Sequence, residues 1–121
     1  MFYVMSPPEE TDWHVGRDEL VAMLEREWPG IEIKLSDASA PSARDVVWHL
    51  RFLEGELDGS QDRAGQAHYL EGPPTVIARF ASWWRSHVPT QQPLILTDES
   101  YSTVVNLNPG VTEQDIVDRL A

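Results

Sequence analysis

PPTVIARFASWWRSHVPTQQPLILTDESYSTVVNLN, residues 73–108, is the stretch whose reading decides the fold. Its first half carries Val76, Ile77, Phe80, Trp84 and Val88 at the spacing of one helix face, with Arg79, Ser82 and Ser86 opposite and Trp83 at the border. Proline suits a first helical turn, because the N–H it lacks would have no intrahelical partner there. A helix is therefore expected over residues 74–87, ended by Pro89, with Arg85 and His87 where positive charge suits the helix dipole. Residues 93–97 follow as a short apolar run. Residues 101–107 put Thr103, Val105 and Leu107 on one face, and Asp98-Glu99-Ser100 makes the polar turn of a hairpin between the two. A helix lying on a hairpin is the unit to which the other segments add.

Upstream, Phe2-Tyr3-Val4-Met5 predicts a strand, and the proline-marked residues 6–12 a connection. Leu20, Leu24 and Trp28 recur at helical spacing over 16–28, with Asp18 and Glu19 in the first turn and Pro29-Gly30 as the stop. Glu25 and Glu27 stand near the C-terminal end of this helix, where its dipole disfavours negative charge. That local cost has no evident structural benefit, which marks them for a partner surface. Residues 31–35 alternate, so Ile31, Ile33 and Leu35 are expected to face the core; 36–44 reads as a loop. In 45–53, Val46, Trp48, Leu50 and Phe52 share an apolar face, and Val47, His49, Arg51 and Leu53 a mixed one. Residues 54–60 prolong this strand to a turn at Asp58-Gly59, 61–65 form a hairpin tip, and 66–71 the returning strand. At the far end Thr112 and Asp115 have the spacing of a capping box, and Val111 and Ile116 that of a hydrophobic staple. The expectation is one α+β domain over residues 1–121. Its mostly antiparallel sheet has five to six strands, with two main helices and a short C-terminal helix, in the order β-α-β-β-β-α-β-β-α.

Twenty acids against nine bases leave a net charge of −11, and the first sixty residues alone carry thirteen acids against five bases. Nucleic acid and anionic membrane are disfavoured as partners, since both demand a basic patch. A basic protein is favoured by complementary charge; the alternative is that acidity serves only solubility. The chain has no cysteine, which excludes a disulfide framework or a thiolate metal site. Its beginning lacks a basic segment followed by a long apolar core, and no apolar run is long enough to span a bilayer, so a cytoplasmic location is expected.

No residue pattern announces a reaction. His14, His49, His68 and His87 fall in no compact metal spacing and are expected at the surface or a sheet edge. His49 and Arg51 share a strand face with Glu54, Glu56 and Asp58 close behind, a set able to transfer protons but equally ordinary for a solvated sheet. There is no nucleophile elbow; Gly55, Gly59 and Gly65 lie among acids that repel phosphate, and residues 58–62 lack the ligand alternation of a calcium loop. Catalytic, cofactor and metal sites are accordingly expected to be absent. Trp83 reads either as cover for the sheet edge or as an interface anchor, tryptophan being enriched among binding hot spots. Asp98 and Glu99 at the hairpin tip, and Glu54, Glu56 and Asp58 at a strand end, would ring such a contact.

Three runs bring in a resemblance: Phe80-x-x-Trp83-Trp84-Arg85-x-x-Val88-Pro89, Leu94-Ile95-Leu96-x-Asp98-Glu99-x-Tyr101-Ser102, and Leu107-x-Pro109-Gly110-Val111-Thr112. Over about the last third of the chain they resemble the layout of small bacterial immunity proteins. The resemblance implies an acidic cytoplasmic protein that binds and blocks a toxin of its own lineage; it assigns no residue a role. The reading is a protein-binding module for a cognate basic toxin or another basic protein, with Glu54, Glu56, Asp58, Trp83, Asp98 and Glu99 as its surface and Glu25 and Glu27 next. The alternative is a structural or regulatory subunit that acts by homo- or hetero-oligomerisation, without catalysis.

Overall fold

The computed structural model describes residues 2–36 and 44–120. The elements run β1 (Phe2–Ser6), α1 (Arg17–Glu27), β2 (Glu32–Leu35), β3 (Arg44–Phe52), β4 (Gly55–Asp62), β5 (His68–Glu71), α2 (Pro74–His87), β6 (Ile95–Asp98), β7 (Val104–Asn106) and α3 (Glu113–Leu120). The fold is α+β, with seven antiparallel strands in the order β2-β3-β4-β5-β1-β6-β7. Of the loop expected over 36–44, residues 37–43 lie outside the described residues.

The strand beyond the expected five to six is β4, and a glycine explains the difference. Asp58-Gly59 is not a turn: Gly59 pairs with Trp48 in the middle of β4, and the chain instead reverses at Leu53-Glu54. Gly55, with φ 149°, takes the backbone conformation that side chains rarely allow. Gly59 serves close packing instead, since a Cβ there would lie 2.4 Å from Nε1 of the Trp48 indole. Gly59→Ala is expected to cost about 1–3 kcal/mol by overpacking. Urea unfolding of Gly59→Ala, Trp48→Leu and the double variant checks this. Strong coupling between the two positions is expected, and simple additivity would contradict it.

The three helices cover one face of the sheet. Val46, Trp48, Leu50, Leu57, Leu70, Tyr3, Met5, Leu96 and Val105 point to that side and are buried with Leu20 and Leu24 of α1 and Val76, Ile77, Phe80 and Trp84 of α2. Phe80 is the hub: its ring stacks on Trp48 (5.4 Å) and Trp28 (5.8 Å) and meets His68 and Trp83 at steeper angles. Leu35, expected inward, is half exposed, because β2 is the outermost strand and the covering layer stops short of its end. The second hairpin strand is shorter than expected: Tyr101 sits in the turn with a left-handed φ of 58°, and pairing begins at Val104. The capping box before α3 is formed. The Thr112 hydroxyl accepts from the Asp115 N–H (3.1 Å), the Asp115 carboxylate accepts from the Thr112 N–H (3.2 Å), and Val111 and Ile116 pack on the core.

Several polar side chains are buried, among them Gln61, expected in a hairpin tip, and the ionisable Arg85 and His68. Arg85, which the sequence presents as a helix-end charge that suits the dipole, is 3 % exposed and donates to the carbonyls of Gln92 (2.7 Å) and Pro89 (2.7 Å), which ties the α2–β6 connection to the helix end. Burial lowers its pKa from the usual arginine value. His68, expected at a surface or edge, is 1 % exposed among Trp48, Phe80 and Trp84. Its Nε2–H donates to Gln61 Oε1 (2.9 Å), while the Gln61 amide donates to the Val15 carbonyl (3.0 Å). Among the described residues no helix is long and apolar enough to cross a membrane.

Candidate functional site

The eight residues singled out from the sequence do not form one surface. Glu25, Glu27, Glu54 and Trp83 belong to the helix side, near the β3–β4 turn. Glu56 and Asp58 lie on the opposite, uncovered sheet face. Asp98 and Glu99 sit at the β6–β7 turn, four strand positions from β3, or roughly 19 Å at the usual strand spacing.

Their chemical states differ as much as their positions. Asp98 is committed to its turn: its carboxylate accepts from the Ser102 hydroxyl and from the backbone N–H groups of Ser102 (2.8 Å) and Thr103 (3.3 Å). Those bonds, the Ser102 hydroxyl first, lower its pKa below the ordinary carboxylate value. Glu54 is held by Arg79 (2.7 Å), which also approaches Glu113 (3.6 Å) and lies over the Phe52 ring. Glu56 and Asp58 grip His49 from its two sides: Nδ1 is 2.6 Å from Asp58 and Nε2 3.3 Å from Glu56, with Arg51 also on Glu56 (3.2 Å). The hydrogen bond to Asp58 leads in raising the His49 pKa. With both ring nitrogens on carboxylates, and Arg51 shared with Glu56, His49 has no free nitrogen to serve as a base, and both acids have partners on the sheet face.

Glu25 and Glu27 are different. Both are exposed in the last turn of α1, and among the described residues neither has a cation or a hydrogen-bond donor. Trp28, immediately after Glu27 and three residues from Glu25, is half-buried and packs its indole against Trp83 (4.7 Å) and edge-on to Phe52 (6.1 Å). Trp83 in turn touches Phe80, Trp84 and His87. A groove of about 380 Å³ lies beside Trp28, lined also by Glu27, by Ile31 and Glu32 at the start of β2, and by His49, Leu50 and Arg51. Leu53, at the tip of the β3–β4 turn, is fully exposed. Partly buried indoles beside carboxylates without an ion-pair partner combine two things a partner contact needs: some apolar surface to desolvate and charge to steer the encounter.

Trp28 and Phe52 belong by periodicity to core stripes, where they do lie, so the same periodicity hides their share in this patch. The signal for Arg79 is its place opposite the apolar stripe of α2, which leaves it free to collect the acids of neighbouring turns. Among the described residues no group of three or more histidine or acidic side chains is placed to hold a metal ion. No protein-family model, curated protein or solved structure matches the chain.

Proposed function

We propose that the protein is a binding module for a basic protein partner, of the immunity type that covers and blocks a toxin, and that it meets this partner with the α1 end of its helix layer. One observation carries the reading. Two exposed carboxylates that oppose their own helix dipole, with Arg26 between them but no ion-pair partner among the described residues, stand beside the partly buried Trp28–Trp83 pair. Folding gains nothing from the acids there, and a cation-rich partner would. Glu25 and Glu27 pair with lysine or arginine of the partner, Trp83 and Trp28 supply the desolvated anchor, and Leu53 extends the apolar contact.

The test is Glu25→Lys/Glu27→Lys, with the protein encoded beside this one used as the binding probe in calorimetry. Affinity is expected to fall at least tenfold, while thermal stability holds or rises by up to ~1 kcal/mol as the clash with the dipole is relieved. Glu99→Lys, at the distant turn, is expected to leave the affinity unchanged. Equal affinity for the wild type and the double reversal would remove the α1 end from the contact.

A further inference from the structure

A second surface stands out for a different reason, its complementarity to itself. β2 is the outermost strand of the sheet, and among the described residues it pairs with β3 alone. Its four residues are Glu32, Ile33, Lys34 and Leu35, and Lys34 is the only lysine of the chain. Glu32 and Lys34 are exposed, and among the described residues neither has an ion-pair partner. On the helix side of the same strand, Ile31 and Ile33 are half-buried and Leu35 is half exposed. An edge that, among the described residues, has unpaired backbone groups, a partly open apolar row and two charges of opposite sign without ion-pair partners is a template for another strand.

We infer that this edge pairs with the same edge of a second copy, antiparallel about a two-fold axis through Ile33. The register follows from symmetry and charge. Two identical antiparallel strands related by a two-fold keep matched backbone direction and side-chain facing when the axis passes through a residue. An axis through Glu32 sets Glu32 against Glu32, and one through Lys34 sets lysine against lysine, both unfavourable directly across a strand pair. An axis through Ile33 sets Glu32 of each copy against Lys34 of the other, twice, on the uncovered face. On the helix side the same register lays Leu35 of each copy against Ile31 of the other, which covers the half-exposed leucine. A lysine on an edge strand often serves to discourage pairing. Here the strand supplies its own counter-charge at the matching position, so the lysine selects a register instead. The two sheets become one, and the joint borders the groove beside Trp28, which Ile31 and Glu32 also line.

Sedimentation equilibrium over a concentration series in 0.15 M salt, where charges more than about 8 Å apart are screened, tests the pairing. The wild type is expected to show a reversible monomer–dimer equilibrium. Glu32→Lys and Lys34→Glu each set like charges across the axis, and each alone is expected to weaken dimerisation at least tenfold. The first variant is positive at both positions and the second negative at both. Mixing them therefore restores opposite charges at both cross-strand contacts, and a heterodimer of near wild-type affinity is expected. Thermal unfolding of each variant checks that the fold is kept; both altered side chains are exposed. A wild type that stays monomeric throughout, single variants that dimerise as well as the wild type, or a mixture that fails to restore association would each overturn the proposal.

Discussion

Phe80→Ala is expected to lower the unfolding free energy by about 4 kcal/mol, among the largest losses for a single side chain in this protein. The Phe80 ring is wholly buried and stacks between Trp48 and Trp28, with His68 and Trp83 at its edges. Truncation removes the transfer free energy of the ring and leaves a cavity that four rigid neighbours cannot collapse to fill. Each lost aromatic pair adds roughly 0.5–1.5 kcal/mol. Denaturant unfolding measures the loss, and because Trp28, Trp48 and Trp83 all border the cavity, the native fluorescence spectrum should shift as well. Phe80→Leu, which keeps most of the volume, should cost well under half as much. A loss below about 1.5 kcal/mol for Phe80→Ala would show that Phe80 is not the hub of the aromatic cluster.

The second large effect is a dependence on pH set by His68. Burial in the aromatic cluster pushes its pKa down to about 3 from an ordinary value of 6.5. The folded protein therefore holds His68 neutral in a range where the unfolded chain protonates it. The unfolded state binds more protons, and stability falls as pH drops below 6.5 and goes on falling toward 3. Between pH 8 and 4.5 this single group costs about 2–3 kcal/mol, at ~1.4 kcal/mol per pH unit once below 6.5. His49 acts with the opposite sign: its raised pKa contributes stability below 6.5 that is lost as pH rises through the folded value. Asp45, whose pKa is lowered by its hydrogen bond to Arg17, weakens the fold only when pH falls through the carboxylate range. Urea midpoints at pH 8, 6.5, 5.5 and 4.5 separate these. His68→Leu is expected to flatten the slope between 6.5 and 4.5 even where it lowers stability overall through the loss of the Gln61 bond. An unchanged slope would assign the acid sensitivity elsewhere.

Period and punctuation make most of the fold legible. The 3.6-residue stripe through Val76, Phe80 and Trp84, the alternation from Val46 to Phe52, and the Thr112/Asp115 cap all express local physics, and all three appear as read. What escapes depends on residues distant in sequence. Gly59 looks like a turn until Trp48 is known to lie across from it. His68 looks like a surface histidine until the rings of α2 close over it, and Arg85 looks like a dipole partner until Gln92 and Pro89 fold back onto it. The candidate surface is legible by residue type and not by location. Glu25 and Glu27 stand out through a local conflict with their helix, which the fold leaves unrelieved. Glu54, Glu56, Asp58 and Asp98 stand out only as acids, and the fold gives each of them a partner of its own.

Strand β1 bears on how the sheet assembles in time. The run β2 to β5 is a meander whose neighbours are joined in sequence order, and β6 and β7 are joined by their own turn. Within the sheet the two groups meet only through β1, which lies between β5 and β6 and brings position 3 against positions 70 and 98. Closing chain loops of that length is entropically slow compared with forming a hairpin. The meander and the hairpin are therefore expected to form first, each with the edge that β1 later covers still raw, and the docking of β1 is expected to limit folding. Until it happens the facing edges of β5 and β6 are both open, so that interval is when the chain is most exposed to mispairing with its neighbours.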